Sequence, residues 1–169
     1  MAPILAAVEA AAHGGLRLPL VYNTGGYDSV ATLHLLDGVV DVYMPDAKFS
    51  DRGTALALSG VDHYPQVNRA CLREMHRQVR DLLLDDEGVA VRGLVVRHLV
   101  LPGGLSGTEE VLRFVAREIS LATYLNLMDQ YRPCHLAAQT PELEQPLRWS
   151  EYRRLRQYAK VLGFTRLAS

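Results

Sequence analysis

Four short stretches of this sequence set polar and charged residues directly after apolar runs. They are Asn23-Thr24-Gly25-Gly26, Met44-Pro45-Asp46-Ala47-Lys48, Arg97-His98-Leu99 running on to Pro102-Gly103-Gly104, and Asn126 followed by Met128-Asp129-Gln130-Tyr131. A carboxylate such as Asp46 can accept from ligand hydroxyls, and a lysine or arginine can neutralise a ligand carboxylate or phosphate. Lys48 is one of only two lysines, the other being Lys160. Met44, Asp46 and Lys48 share parity, so an extended chain points all three the same way. The glycine pair after Thr24 allows a tight turn and a close ligand approach. Arg97, inside the apolar run "VVRHLVL", must face a partner, because an unpaired buried charge is very costly. That partner is either a carboxylate of the chain, Asp41 or Asp46, or an anionic ligand. Any one of these ends is ordinary turn chemistry; four in succession favour a small-molecule site.

The elements that must position these residues alternate. Residues 3–13 read as an alanine-rich helix closed by Gly14-Gly15, and "LPLVYN" at 18–23 as a strand. A helix at 27–37 carries Val30, Leu33 and Leu36, and "VVDVYM" at 39–44 is a second strand ended by Pro45, which has no N–H to donate. A short helix at 52–59 precedes a long one at 65–84, whose apolar stripe is Val67, Cys71, Met75, Val79 and Leu82. Its row of Arg69, Arg73, Arg77 and Arg80 reads as a solvated face. "LVVRHLVLP" at 94–102 is a strand apolar enough for both faces of a sheet to be covered. A helix at 107–119 follows, with Ser106 and Glu109 in capping-box spacing. "TYLNLM" at 123–128 is a fourth strand, a helix at 150–162 has Ser150 as its cap, and "FTRL" is a last short strand. This alternation predicts one α/β domain over 1–169 with a mainly parallel sheet. Ligands of such sheets bind beyond the carboxyl ends of the strands, where the four stretches lie.

Composition narrows the function classes. A formal net charge of -1 argues against a nucleic-acid surface, and no apolar run is long enough to span a membrane. The N-terminus lacks a cationic segment and Glu9 interrupts its apolar stretch, so the expected location is cytoplasmic. Cys71 and Cys134 stand far apart, which suits neither a disulfide framework nor a multi-thiolate metal site. Cys134-His135 offers only two candidate metal ligands. His98, of opposite parity to Arg97, is read as a satisfied core histidine, and His76 as a surface residue of its helix. No P-loop, no G-x-G-x-x-G opening a helix and no G-x-S-x-G elbow is present.

Together "YNTGGYDS", "DVYMPDAKF", "VRHLVLPGG" and "NLMDQYRP" resemble, in order from about Leu18 to Arg132, the C-terminal half of radical S-adenosylmethionine proteins of the pyruvate formate-lyase activating enzyme-like group. The resemblance implies the C-terminal half of a (β/α) partial TIM-type barrel whose strand ends line an S-adenosylmethionine pocket. It implies that Asp46 and Lys48 contact the ribose, that Arg97 lies near the methionine moiety, and that Leu99 runs alongside the adenine. The segment from Met128 to Tyr131 would border that adenine, with Gly25 in the turn beside the pocket. Asn23, Thr24, Met44 and Asp46 overlie a cation-binding corner of the activating enzymes, where Asn23 replaces a carboxylate. The family's [4Fe-4S] cluster is held by a C-x-x-x-C-x-x-C motif, and this chain has none. Expected partners are therefore a complementary cluster-binding half, or a glycyl-radical-type protein substrate, besides the small-molecule cofactor. The alternative is a non-catalytic half-barrel module that binds an adenosyl ligand or a partner chain.

Overall fold

The computed structural model describes residues 2–168. Helix α1, Ala2–His13, closes as the glycine pair predicts: Gly14 N–H donates to the Ala10 carbonyl at 3.0 Å, and Gly15 turns at φ 95°. Strand β1 is Val21–Thr24, starting later than expected because Pro19 has no N–H for a ladder and Leu18 stays exposed. Helix α2, Val30–His34, is shorter than the expected span, since residues before it are used in a turn held by Asp28. Strand β2 is Val42–Pro45. Helix α3, Arg52–Ser59, matches expectation, capped by Asp51, whose carboxylate accepts from Thr54 N–H at 2.9 Å.

Helix α4, Tyr64–Val79, stops short of residue 84. Its chain breaks helical geometry at Arg80, φ 63°, and Leu83–Leu84 form β3, antiparallel to β4, Ala90–Leu99. The sequence reading missed this hairpin and began β4 too late. Its turn is stabilised by Asp85, whose carboxylate accepts from Glu87 and Val89 N–H. Helix α5, Thr108–Phe114, runs on into a π turn, Val115–Ile119, so the pair fills the expected 107–119. The expected capping box does not form. Gly107 holds the cap position in the left-handed region, and the Ser106 hydroxyl instead accepts from Leu101 N–H at 3.2 Å. Strand β5 is Tyr124–Met128 and helix α6 is Trp149–Leu162. Ser150 lies inside α6 and Arg148 occupies its N-cap without a side-chain bond, a second correction.

The fold is α/β, as the alternation implied: β1, β2, β4 and β5 lie side by side, all parallel, with β3 antiparallel beside the first part of β4. The expected last strand is reduced to a parallel bridge between Leu167 and Leu125, which covers the outer edge of β5. The helices supply the core on one face only. Leu33 of α2, Leu72 and Met75 of α4, Leu112 of α5 and Leu155 with Ala159 of α6 pack against Tyr43, Val96, Leu125 and Leu127 of the strands. Each fully buried leucine or methionine contributes about 2 kcal/mol of apolar transfer. Among the described residues no helix covers the opposite face: along β4 its half-buried Val95, Arg97 and Leu99 alternate with Val96, His98 and Val100, which are buried on the helix side. Helices outside and an open inner face are the geometry of half a barrel. No helix among the described residues is long and apolar enough to cross a membrane.

Candidate functional site

The open face collects side chains from every parallel strand. In-register pairs put Asn23 beside Met44, Asp46 beside Arg97, Arg97 beside Asn126 and Leu99 beside Met128. Pro45 does not end the ladder, contrary to expectation. Asp46 N–H donates to the Thr24 carbonyl at 2.9 Å and Ala47 N–H to the Arg97 carbonyl at 2.7 Å, so the chain stays extended past the proline. Pro45 forgoes only the single bond its position would make toward β4. Parity is thereby preserved, and Asp46 and Lys48 project on one side.

The geometry identifies Arg97's partner as Asp46. Its Nε and Nη2 donate to Asp46 Oδ1 at 2.9 and 2.6 Å, and Nη2 also donates to Asn23 Oδ1 at 2.9 Å. Lys48 Nζ donates to the other carboxylate oxygen at 2.6 Å. Asp41, the rejected candidate, accepts from Leu20 N–H at 2.8 Å and steadies the entry to β1. The result is one carboxylate between two cations, with side chains 17% (Asp46), 25% (Arg97) and 45% (Lys48) exposed. An excess positive charge thus faces the open side.

The site is held from below by the first turns of α4. Tyr64 Oη donates to the carbonyls of Gly25 and Asp46 at 2.8 and 3.0 Å and accepts from Lys48 N–H at 3.0 Å. Asn68 Nδ2 donates to the carbonyls of Gly26 and Asp46 at 2.9 and 2.8 Å. Gly26, at φ 70°, is required: a Cβ there would lie 2.2 Å from the Asp46 carbonyl oxygen. Sequence reasoning missed Tyr64 and Asn68. The signal was their spacing with Cys71, polar groups on the same inward flank of a helix as its apolar stripe. Burial pushes Tyr64 well above the usual phenol range.

Other predicted residues fall elsewhere. Thr24 turns to the helix side, where its hydroxyl donates to Asp28 Oδ2 at 2.6 Å beside Tyr22 Oη, which donates to Oδ1 at 3.0 Å. Burial, reinforced by Asp28, lifts Tyr22 to about 12. Gly25 stands at the rim, with Lys48 Cε 3.8 Å from the position a Cβ would take. Tyr131, past β5, donates to the Leu143 carbonyl at 2.7 Å and pins the loop toward α6. His98 is a satisfied core histidine on the helix side: Nδ1 donates to the Ala47 carbonyl and Nε2 accepts from Thr108 Oγ1 at 2.8 Å. His76 is largely buried rather than a surface residue, its Nε2 3.4 Å from Asp81 Oδ1.

The donor sets decide which groups the site suits. The corner of Asn23, Thr24, Met44 and Asp46 does not suit a cation, because Arg97 already occupies the Asn23 and Asp46 oxygens and Thr24 faces away. Neither cysteine suits an iron–sulfur cluster. Burial raises Cys71 to about 11, where it donates to the Asp28 carbonyl, and Cys134 is exposed on the loop after β5. Among the described residues no group of three or more His, Cys, Asp or Glu is placed to hold a metal.

No family model matches the chain. Among curated proteins, it is similar to an uncharacterised protein of Methanocaldococcus jannaschii, 35% identical over 136 residues. The match takes in 80% of this chain and only 36% of that relative, so the chain spans little more than a third of its length.

Proposed function

We propose that the open sheet face is the S-adenosylmethionine side of a radical S-adenosylmethionine protein, this chain corresponding to the C-terminal half of its barrel. The observation that carries the reading is the Asp46–Arg97–Lys48 cluster at the carboxyl ends of two neighbouring strands, β2 and β4. A zwitterionic, ribose-bearing ligand needs a carboxylate to accept its hydroxyls and a cation for its own carboxylate. Asp46 serves the first need and Arg97 the second. Lys48 is half-exposed, and an exposed ion pair is worth only about 0.2–1 kcal/mol, so a ligand can displace it from Asp46 at little cost. Leu99 and Met128, side by side, supply an apolar floor for a flat base, and Tyr131 steadies the loop at its border. When bound, S-adenosylmethionine would supply hydrogen-abstraction chemistry: one electron from the reduced [4Fe-4S] cluster of the complementary half would cleave it to methionine and a 5'-deoxyadenosyl radical, for a substrate such as a glycyl-radical-type protein.

The residues of this chain bind and orient; none forms or breaks a bond. Its two thiols do not suit the [4Fe-4S] cluster, which in this reading belongs to a complementary half. The uncovered edge of β1 favours a second reading, a half-barrel module that takes a partner chain and keeps adenosyl binding without catalysis. Calorimetric titration with S-adenosylmethionine tests what both share. Binding by the wild type that is lost in Lys48→Ala supports the site. A folded wild type giving no heat overturns an adenosyl site on this chain.

A further inference from the structure

We propose that one flank of α6 docks an acidic helix of a protein partner. Trp149, Arg153, Arg156 and Lys160 recur at steps of four, three and four residues, so they line up over about 16 Å of helix. This spacing is the seam along which a second helix packs at a shallow angle. The inward residues of α6, Tyr152, Leu155 and Ala159, are buried in the core, whereas Trp149, Arg153 and Lys160 are exposed and Arg156 is half-buried.

Two observations give the seam its chemistry. The first is unsatisfied charge. Among the described residues no carboxylate lies within ion-pairing distance of Arg153, Arg156 or Lys160. Three other arginines of the helical layer are paired, Arg73 with Glu118, Arg77 with Glu74 and Asp37, and Arg154, one column over on α6, with Glu109, whereas Arg69 and Arg117 stand singly and in no such row. The second is Trp149, the chain's single tryptophan, which leaves 58% of its surface exposed while tilted on Tyr152 at a ring separation of 5.3 Å. Arg156 lies over the other reach of that tyrosine, 5.9 Å from its centroid. An exposed tryptophan beside arginines is the composition of protein-binding hot spots. A nucleic acid would call for a broad basic surface, whereas this seam is narrow on a chain of formal net charge -1. The complementary partner is a helix with glutamates or aspartates at three- and four-residue spacing and an apolar contact for Trp149.

Because Trp149 is the sole tryptophan, its emission reads this seam alone. The test titrates the full chain, at low and at high salt, with a synthetic helical peptide carrying glutamates at alternating three- and four-residue steps. The expected result is a saturable, salt-weakened blue shift, reduced about tenfold in affinity or more in the Arg153→Glu/Lys160→Glu variant and unchanged in Arg17→Glu. An unmoved emission spectrum overturns the proposal, as does equal binding by the charge-reversed variant. Tighter binding of an oligothymidylate than of the peptide overturns it in favour of a nucleic-acid surface.

Discussion

His98 shows how one fully buried side chain writes a pH dependence into the whole fold. Both ring nitrogens are satisfied in the neutral form, and burial pulls its pKa down to about 4, against an unfolded value of about 6.5. The unfolded chain therefore takes up the proton first. The contribution is complete above the unfolded pKa and is lost as pH falls toward the folded one, at a cost of about 2 kcal/mol between pH 7 and pH 5. Glu74, held down to about 2 by the Arg77 guanidinium, begins to lose its share only as pH falls through the ordinary glutamate value of about 4.5, so it adds little to the change between pH 7 and pH 5. Urea unfolding at these two pH values should show the drop in the wild type and a flatter response in His98→Gln. Equal slopes in both would assign the acid sensitivity elsewhere. The same scale separates His98 from its neighbour in sequence: Arg97, of opposite parity, reaches Asp46 on the open face.

At the scale of elements, the site is a joint between two strand ends made by the N-terminal turns of α4. A single phenol ties the carbonyls of Gly25 and Asp46 and the amide of Lys48. Removing it in Tyr64→Phe leaves the Lys48 N–H without its partner, with an expected loss of about 1–3 kcal/mol. Hydrogen exchange localises the effect. The Lys48 amide should exchange faster while amides paired between β4 and β5 keep their protection. Unchanged exchange at Lys48 would mean that the joint is held by Asn68 alone. Elements with complete local signals, such as α3 between Asp51 and Gly60, were legible in the sequence almost to the residue. The hairpin of β3 was not, because two exposed leucines continue the apolar pattern of α4 and only the left-handed turn at Arg80 diverts the chain.

For the molecule as a whole, the two sheet edges differ. The outer edge of β5 is covered where Leu125 exchanges hydrogen bonds with Arg166 and Ala168. Among the described residues nothing pairs with the outer edge of β1: the Leu20 and Thr24 carbonyls accept from Val42 and Asp46, so the backbone groups of Val21 and Asn23 point away from the sheet. Val21 is 55% exposed there. An uncharged parallel edge beside an uncovered face invites strand addition. Sedimentation velocity of this chain should show association that grows with concentration, and Val21→Lys should suppress it. A wild type that stays monomeric throughout the same range would show the edge to be inert.

Local periodicity was enough to determine the class of the fold, the alternation of its parallel strands with helices, and the common direction of Met44, Asp46 and Lys48, because parity and helical repeat are properties of adjacent residues. The sequence left Asp41 and Asp46 as equal candidates for Arg97, and it was silent on Tyr64 and Asn68. Only the parallel register of β2 against β4, which sets Asp46 beside Arg97, decided between the carboxylates. Register and through-space pairing depend on how separate elements pack, and no window of neighbouring residues contains that information.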